Sequence, residues 1–100
     1  MLEIHETRDG SKLTVNLVGR LDAKGSPEFE KRFVEEIDDV TEVVLDMAEV
    51  DYVSSAGLRA LLYLHNLMDE KGATMVLQNV DDDILEVFSV TGFLDVLTIQ

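Results

Sequence analysis

The 100-residue chain contains no cysteine, one proline and six scattered glycines, and no apolar run long enough to span a bilayer. Without cysteine there can be no disulfide framework, thiolate nucleophile or cysteine-ligated zinc site. The first residues lack the basic and apolar segments of a signal peptide, so we expect a cytoplasmic protein without direct membrane insertion. No repeat or linker is visible, and 46% apolar residues suffice for one core, which predicts a single domain over residues 1–100.

Positive charge is also scarce. Eight Lys and Arg residues stand against 21 Asp and Glu residues, which gives a formal net charge of −13. This field repels nucleic-acid phosphates, so we expect no nucleic-acid partner. The same charge speeds encounter with a basic protein surface, although it equally serves solubility.

Hydrophobic periodicity predicts alternating strands and helices. Strands are expected at residues 4–6, 12–18, 42–46, 74–79 and 96–99, and helices at about 26–38, 55–70 and 81–92. The Asp9-Gly10 pair predicts a hairpin between the first two strands, and strand-helix-strand units predict parallel pairing of the next ones. The fold class is therefore α/β. We expect one mixed sheet of four to five strands, parallel at its centre and antiparallel at the N-terminal strand, with three to four helices.

Two apolar patterns locate the core. Phe29, Phe33 and Ile37, joined by Val34, form an inward stripe on the first helix. Three consecutive apolar residues at 43–45 predict a central strand covered on both faces. After this strand we expect a loop over residues 47–54.

Polar residues mark two helix starts. Ser26 is expected to cap the first helix, with Pro27 at its first position. The three aspartates 81–83 fit an N-cap and first turn of the last helix, and this interpretation is favoured over a metal site.

Residues 54–59, with the sequence SSAGLR, lie where the loop after the third strand leads into the second helix. A helix N-terminus stabilises a phosphate, because its first N–H groups lack partners and the dipole is positive there. Ser54 and Ser55 are therefore either simple N-caps or a phosphoacceptor site. Phosphorylation adds a charge of roughly −1.5 to −2, which Asp22, Asp46 and Asp51 would oppose if they ring the same sheet edge.

A serine hydrolase is the enzymatic alternative. The nucleophile elbow requires glycine two positions before the serine, and Val53 stands there instead. Neither His5, on the first strand, nor His65, on the second helix, is placed as a base. We therefore expect no enzyme activity, no catalytic or metal-binding residue, and no cofactor.

Four segments together resemble the STAS domain family, and within it the small bacterial anti-sigma-factor antagonists. They are GRLD at 19–22, VVLD at 43–46, VSSAGL at 53–58 and VTGF at 90–93. The resemblance covers almost the whole chain and implies the STAS fold. It also implies that the unphosphorylated protein binds an anti-sigma factor that is an ATP-dependent serine kinase, which frees a sigma factor for transcription. The ATP belongs to this partner, and a serine phosphatase is a further candidate partner.

In the family, the phosphorylated serine lies two residues before the motif glycine, and its phosphorylation ends binding. The resemblance thus makes Ser55 the acceptor, with Ser54 as the alternative. It places partner binding at Asp22, Ser54, Ser55, Gly57 and Arg59.

The chain departs from the family pattern at two positions. Ser54 stands where relatives often carry aspartate, and Ala56 replaces a hydroxyl residue of some members. The alternative within the family is a STAS subunit of a transporter or signalling scaffold that lacks a phosphorylation switch.

Overall fold

The structure is a computed structural model that describes residues 2–100. Its strands are β1 (Leu2–Asp9), β2 (Lys12–Leu21), β3 (Glu42–Val53), β4 (Thr74–Gln78) and β5 (Thr98–Ile99). Its helices are α1 (Gly25–Glu36), α2 (Ser55–Glu70) and α3 (Asp82–Thr91), and a 3-10 turn over Phe93–Asp95 precedes β5. The sheet order is β1-β2-β3-β4-β5, with β1 antiparallel to β2 and all other neighbours parallel. The predicted mixed α/β sheet is confirmed.

The order of the strands determines where the helices lie. Each parallel strand is followed in the sheet by the next one in the chain, so right-handed crossovers place α1, α2 and α3 on one face. The core lies between that face and the helices. Its buried strand residues include Leu13, Val15, Leu17, Val43, Leu45, Met47, Met75 and Leu77.

The centre of β3 is buried on both sides, as its apolar run predicts. Val43 and Leu45 are fully buried in the core, and Val44 is only 5% exposed. Val44 pairs with Thr14 on one side and Val76 on the other. Because these flanking side chains share its face of the sheet, the second side of β3 is covered by its neighbours rather than by a helix layer.

The predicted loop over residues 47–54 is wrong, because β3 continues to Val53. Register shifts interrupt the β2–β3 pairing at Asn16/Val18 and Gly19/Arg20. In β3 the buried side chains Met47, Val50 and Val53 are therefore three residues apart rather than two. Bulges of this kind destroy the period-2 signal of a strand while preserving its pairing. For the same reason β2 extends to Leu21, beyond its predicted end.

Helix α1 confirms most of the predicted inward stripe. Phe29, Phe33 and Ile37 are at most 3% exposed, and the two phenylalanine rings meet edge to face at a centroid distance of 6.0 Å. Val34 is 42% exposed, so its place in the stripe is wrong. It directly follows Phe33, and one helical residue turns the side chain by about 100° away from the core.

The predicted cap of α1 at Ser26 is also wrong. The helix begins at Gly25, and Ser26 lies in its first turn, buried and with no partner for its hydroxyl among the described residues. The carboxylate of Asp22 instead accepts the backbone N–H groups of Lys24 and Gly25. Asp22, in the preceding turn, thus accepts the N–H groups at the start of α1, the capping role predicted for Ser26.

Helix α1 ends at Glu36, two residues before its predicted end, whereas the ends of α2 and α3 lie within one residue of the predicted ones. Helix α2 occupies Ser55–Glu70 and is followed by Gly72 in the left-handed conformation, with φ of 72°. The Asp81 side chain accepts the Asp83 N–H at 2.8 Å, so the predicted N-cap of α3 is confirmed. Within residues 2–100, no helix has both the length and the apolar character needed to cross a membrane.

Candidate functional site

The candidate site lies at the sheet edge where β2 and β3 end and α2 begins. The backbone N–H of Ser54, directly after β3, donates to the carbonyl oxygen of Leu21, the last residue of β2, at 3.0 Å. Carboxyl ends of neighbouring parallel strands are where α/β sheets collect ligands and partners. The end of β2 and the start of α2 therefore meet at this edge.

The two serines at the start of α2 differ in what their hydroxyls do. Ser54 is the N-cap, with extended backbone, and its Oγ accepts the Gly57 N–H at 3.2 Å. Ser55 is the first helical residue and is exposed, and its hydroxyl makes no hydrogen bond to another described residue. The hydroxyl of Ser54 is thus committed to the helix, while that of Ser55 faces solvent.

Ser54→Ala is expected to destabilise the fold by about 1 kcal/mol, because it leaves the Gly57 N–H without its capping acceptor. For a domain of this size, that loss lowers Tm by roughly 4–8 °C. Thermal unfolding followed by circular dichroism measures the effect. Ser55→Ala is the matched control and should shift Tm much less. Equal shifts for the two variants would contradict the division of roles.

Gly57 allows α2 to approach β2 closely. A Cβ at this position would lie 2.3 Å from the carbonyl oxygen of Leu21 and 3.0 Å from Cγ1 of Val53. No side chain larger than hydrogen fits there without displacing backbone. Gly57 is buried, so it lies beneath the surface that the resemblance assigns to partner binding and supports that surface rather than forming part of it.

Asp22 shapes the turn from β2 into α1. Its carboxylate accepts the N–H groups of Gly25 at 3.0 Å and Lys24 at 3.1 Å, and Arg20 Nε lies 3.8 Å from its other oxygen. The Gly25 N–H above all, assisted by the Lys24 N–H and the Arg20 charge, holds the pKa of Asp22 below its usual value. Asp22 therefore contributes a fixed negative charge near Ser54.

The other acidic residues proposed to ring the site are not equally placed. Asp46 is bonded to the Asn79 side chain and the Ala48 N–H, and these contacts lower the pKa of its carboxyl. It lies seven residues before Val53 on β3, which is about 20 Å along a strand. Asp46 is thus too far from α2 to oppose a phosphate on Ser55. Asp51 is exposed near the end of β3.

Arg59 lies on the first turns of α2. It is exposed, and no ion pair is formed by it within residues 2–100. Residues four apart on a helix share a face, so Arg59 is one turn beyond Ser55 on the same exposed side.

Tyr52 is a candidate that the sequence interpretation missed. It pairs in register with Arg20 of β2, whose guanidinium lies 4.5 Å from the ring centroid, and the tyrosine remains 44% exposed. The sequence predicts a loop at Tyr52, and a loop residue has no partner strand. The signal in the sequence is the apolar pair Val50 and Val53, whose burial leaves Tyr52 facing outward.

Around this pair lies a concave surface that we call the Tyr52 groove. Its lining residues are Arg20, Asp22, Ala23, Lys24, Tyr52 and Ser54. The groove directly adjoins the start of α2, so Ser55 stands at its border.

A family model for the STAS domain matches residues 3–100. The chain belongs to the STAS domain family. Among curated relatives, this STAS domain is 25% identical to the anti-sigma-B factor antagonist of Listeria monocytogenes, over 99% of this chain and 87% of the relative. It is 19% identical to the anti-sigma-B factor antagonist of Bacillus subtilis, over 99% of this chain and 91% of the relative.

Solved structures share the fold. The STAS domain superposes on the anti-sigma factor antagonist SpoIIAA in its unphosphorylated form with a TM-score of 0.78 and 14% identity, over 100% of this chain and 87% of that one. For the Bacillus SpoIIAA in the phosphorylated form, the TM-score is 0.77 at 15% identity, over 100% of this chain and 91% of that one. The STAS architecture expected from the sequence is therefore confirmed.

Proposed function

We propose that this STAS domain is an anti-sigma-factor antagonist. In its unphosphorylated state it binds an anti-sigma factor that is also a serine kinase, and phosphorylation of Ser55 ends the binding. The observation that carries the proposal is the division between the two serines: the Ser54 hydroxyl caps α2, and the exposed Ser55 hydroxyl is free.

The start of α2 suits a phosphoserine. The free N–H groups and the positive end of the helix dipole stabilise a phosphate at this position. Arg59 lies one turn further along α2 on the same exposed side, so it adds a positive charge near a phosphate on Ser55. The phosphate would thus be tolerated by the fold while it changes the charge of the surrounding surface.

A non-catalytic role is supported by the positions of the two histidines. His65 lies ten residues beyond Ser55 on α2, which is about 15 Å along the helix. His5 lies on the edge strand β1, is exposed, and pairs with Glu3 at 3.6 Å. Neither residue is placed as a base for Ser55, so transfer of the phosphoryl group is assigned to the partner and its ATP.

The comparisons support the same function. Both curated relatives described above are named anti-sigma-B factor antagonists, and SpoIIAA keeps this fold in both phosphorylation states. The replacement of the family aspartate by Ser54 preserves the cap, because Ser54 accepts the Gly57 N–H. We propose a cytoplasmic protein whose switch a serine phosphatase resets.

Incubation with the partner kinase and ATP should place one phosphate on Ser55. The partner is first captured from native lysate of the source organism without ATP, and phosphopeptide mass spectrometry then locates the modification. Ser55→Ala should bind the kinase and remain unmodified, whereas Ser54→Ala should still be phosphorylated. Modification of Ser54, or none in a mixture that binds, would contradict the proposal. Stable, ATP-independent capture of a transporter or scaffold would instead favour the alternative STAS role.

A further inference from the structure

We infer that the Tyr52 groove is the docking site for an acidic segment of the partner kinase, with Tyr52 as the aromatic anchor and Arg20 and Lys24 as the charged contacts. This inference rests on the proposed function and names the chemistry of the partner at the same site. Three features of the groove carry it: its aromatic residue, its charge and its position beside Ser55.

The aromatic residue, Tyr52, is held in place by Arg20 but does not pack in the hydrophobic core. Tyr52 is 44% exposed, and Arg20 stacks on its ring at 4.5 Å from the centroid. Within residues 2–100 the ring belongs to no buried cluster, and its hydroxyl makes no hydrogen bond. A rigid aromatic side chain supported by an arginine loses little conformational freedom on binding, and Tyr and Arg are enriched among residues that dominate interface energies.

The charge of the groove opposes that of the whole chain. The protein carries a formal net charge of −13, yet the groove is lined by two basic residues, Arg20 and Lys24, and one acidic residue, Asp22. Asp22 is already engaged by two backbone N–H groups. Asp51 is exposed on the same strand as Tyr52 but does not line the groove. A carboxylate from a partner is therefore the ligand that fits the remaining donors.

Three of the other basic residues are engaged within residues 2–100, whereas Arg59 is not. Arg8 pairs with Asp39, Arg32 pairs with Glu6 at 2.7 Å, and Lys71 donates to two backbone carbonyls. In contrast, the side chain of Lys24 forms no ion pair within the described residues. The Arg20 side chain is 54% exposed, and its contact with Asp22 is a long one, with 3.8 Å between Nε and Oδ2. Arg20 and Lys24 thus keep N–H donors available to a partner.

The position of the groove gives phosphorylation a direct effect. Ser54 lines the groove and Ser55 follows it at the start of α2. A phosphate on Ser55 would repel an acidic partner segment and compete with it for Arg20 and Lys24. A single modification at the border would therefore release a segment bound inside the groove.

Tyr52→Ala is expected to weaken binding of the unphosphorylated protein to the kinase by about tenfold or more, equivalent to about 1.4 kcal/mol. Tyr63→Ala is the matched control, because Tyr63 is 49% exposed and lies on a separate concave surface with Lys31. Isothermal titration calorimetry measures both affinities, and the control should remain within about twofold of wild type. Equal effects of the two alanine variants would overturn the inference.

Two charge variants test the acidic nature of the partner segment. Arg20→Met and Lys24→Met should each weaken binding several-fold and reduce its sensitivity to salt, whereas Lys31→Met should do neither. Tyr52→Leu, which keeps an apolar side chain but removes the ring on which Arg20 stacks, should also weaken binding and covers the case in which Tyr52→Ala fails to fold. Wild-type affinity in Arg20→Met and Lys24→Met would overturn the inference. If wild type itself neither binds nor is phosphorylated on Ser55, the proposed function fails instead.

Discussion

Gly57→Ala is expected to destabilise the protein by about 3 kcal/mol, near the upper end for overpacking. The added Cβ would lie 2.3 Å from the carbonyl oxygen of Leu21, which is backbone and cannot rotate away. That same oxygen accepts the Ser54 N–H at 3.0 Å, so relieving the clash also breaks the bond that joins β2 to the start of α2. At roughly 4–8 °C for each kcal/mol, Tm should fall by about 12–24 °C. Thermal and urea unfolding measure the loss.

Gly72→Ala is the control for this variant. Gly72 has φ of 72°, and nothing lies within 4 Å of a Cβ placed there. Alanine at this position is expected to destabilise the protein only by the cost of a left-handed backbone conformation, about 1–2 kcal/mol. If Gly57→Ala were no more destabilising than Gly72→Ala, close approach of α2 to β2 would not be the reason for the glycine.

The sequence predicted the elements whose signals are local. Helix α2 lies at Ser55–Glu70, the bounds predicted for it, and Ser54 is its N-cap. Asp81 caps α3 as its position before an apolar run indicates. The predicted Ser26 cap is wrong because Asp22, in the preceding turn, supplies the acceptor for the N–H groups at the start of α1. A capping preference names candidate residues but cannot choose between two of them.

The candidate site was harder to predict than the fold, because its residues come from two strand ends. The bulged end of β3 hides the strand character of the segment that carries Tyr52. The stacking of Arg20 on that ring depends on the register of β2 against β3, which no local pattern specifies. Conversely, Asp46 looked like a site residue only because a loop was expected directly after it. Extending β3 to Val53 moves Asp46 away and brings Tyr52 in.

Phosphorylation of Ser55 is expected to weaken binding to the partner kinase by about 100-fold or more, equivalent to about 2.7 kcal/mol. The phosphate adds a charge of roughly −1.5 to −2 at the border of the Tyr52 groove. Repulsion between this charge and an acidic segment of the partner costs several kcal/mol of binding free energy. The exposed Ser55 side chain has no contact that the phosphate must break, so Tm should change little. Calorimetric titration of the purified phosphoprotein against the unphosphorylated one measures the difference.

Ser55→Ala and Ser55→Asp show how binding depends on the charge at residue 55. Alanine removes the acceptor without adding charge and should bind like the unphosphorylated wild type. Aspartate adds one negative charge, which is less than the charge of a phosphate. The affinity of Ser55→Asp should therefore lie between those of Ser55→Ala and the phosphorylated protein. Raising the salt concentration should narrow the gap between the phosphorylated and unphosphorylated proteins, because the Debye length shrinks from about 10 Å at 0.1 M to about 3 Å at 1 M. Equal affinities of alanine and phosphoserine would show that release does not depend on charge at Ser55.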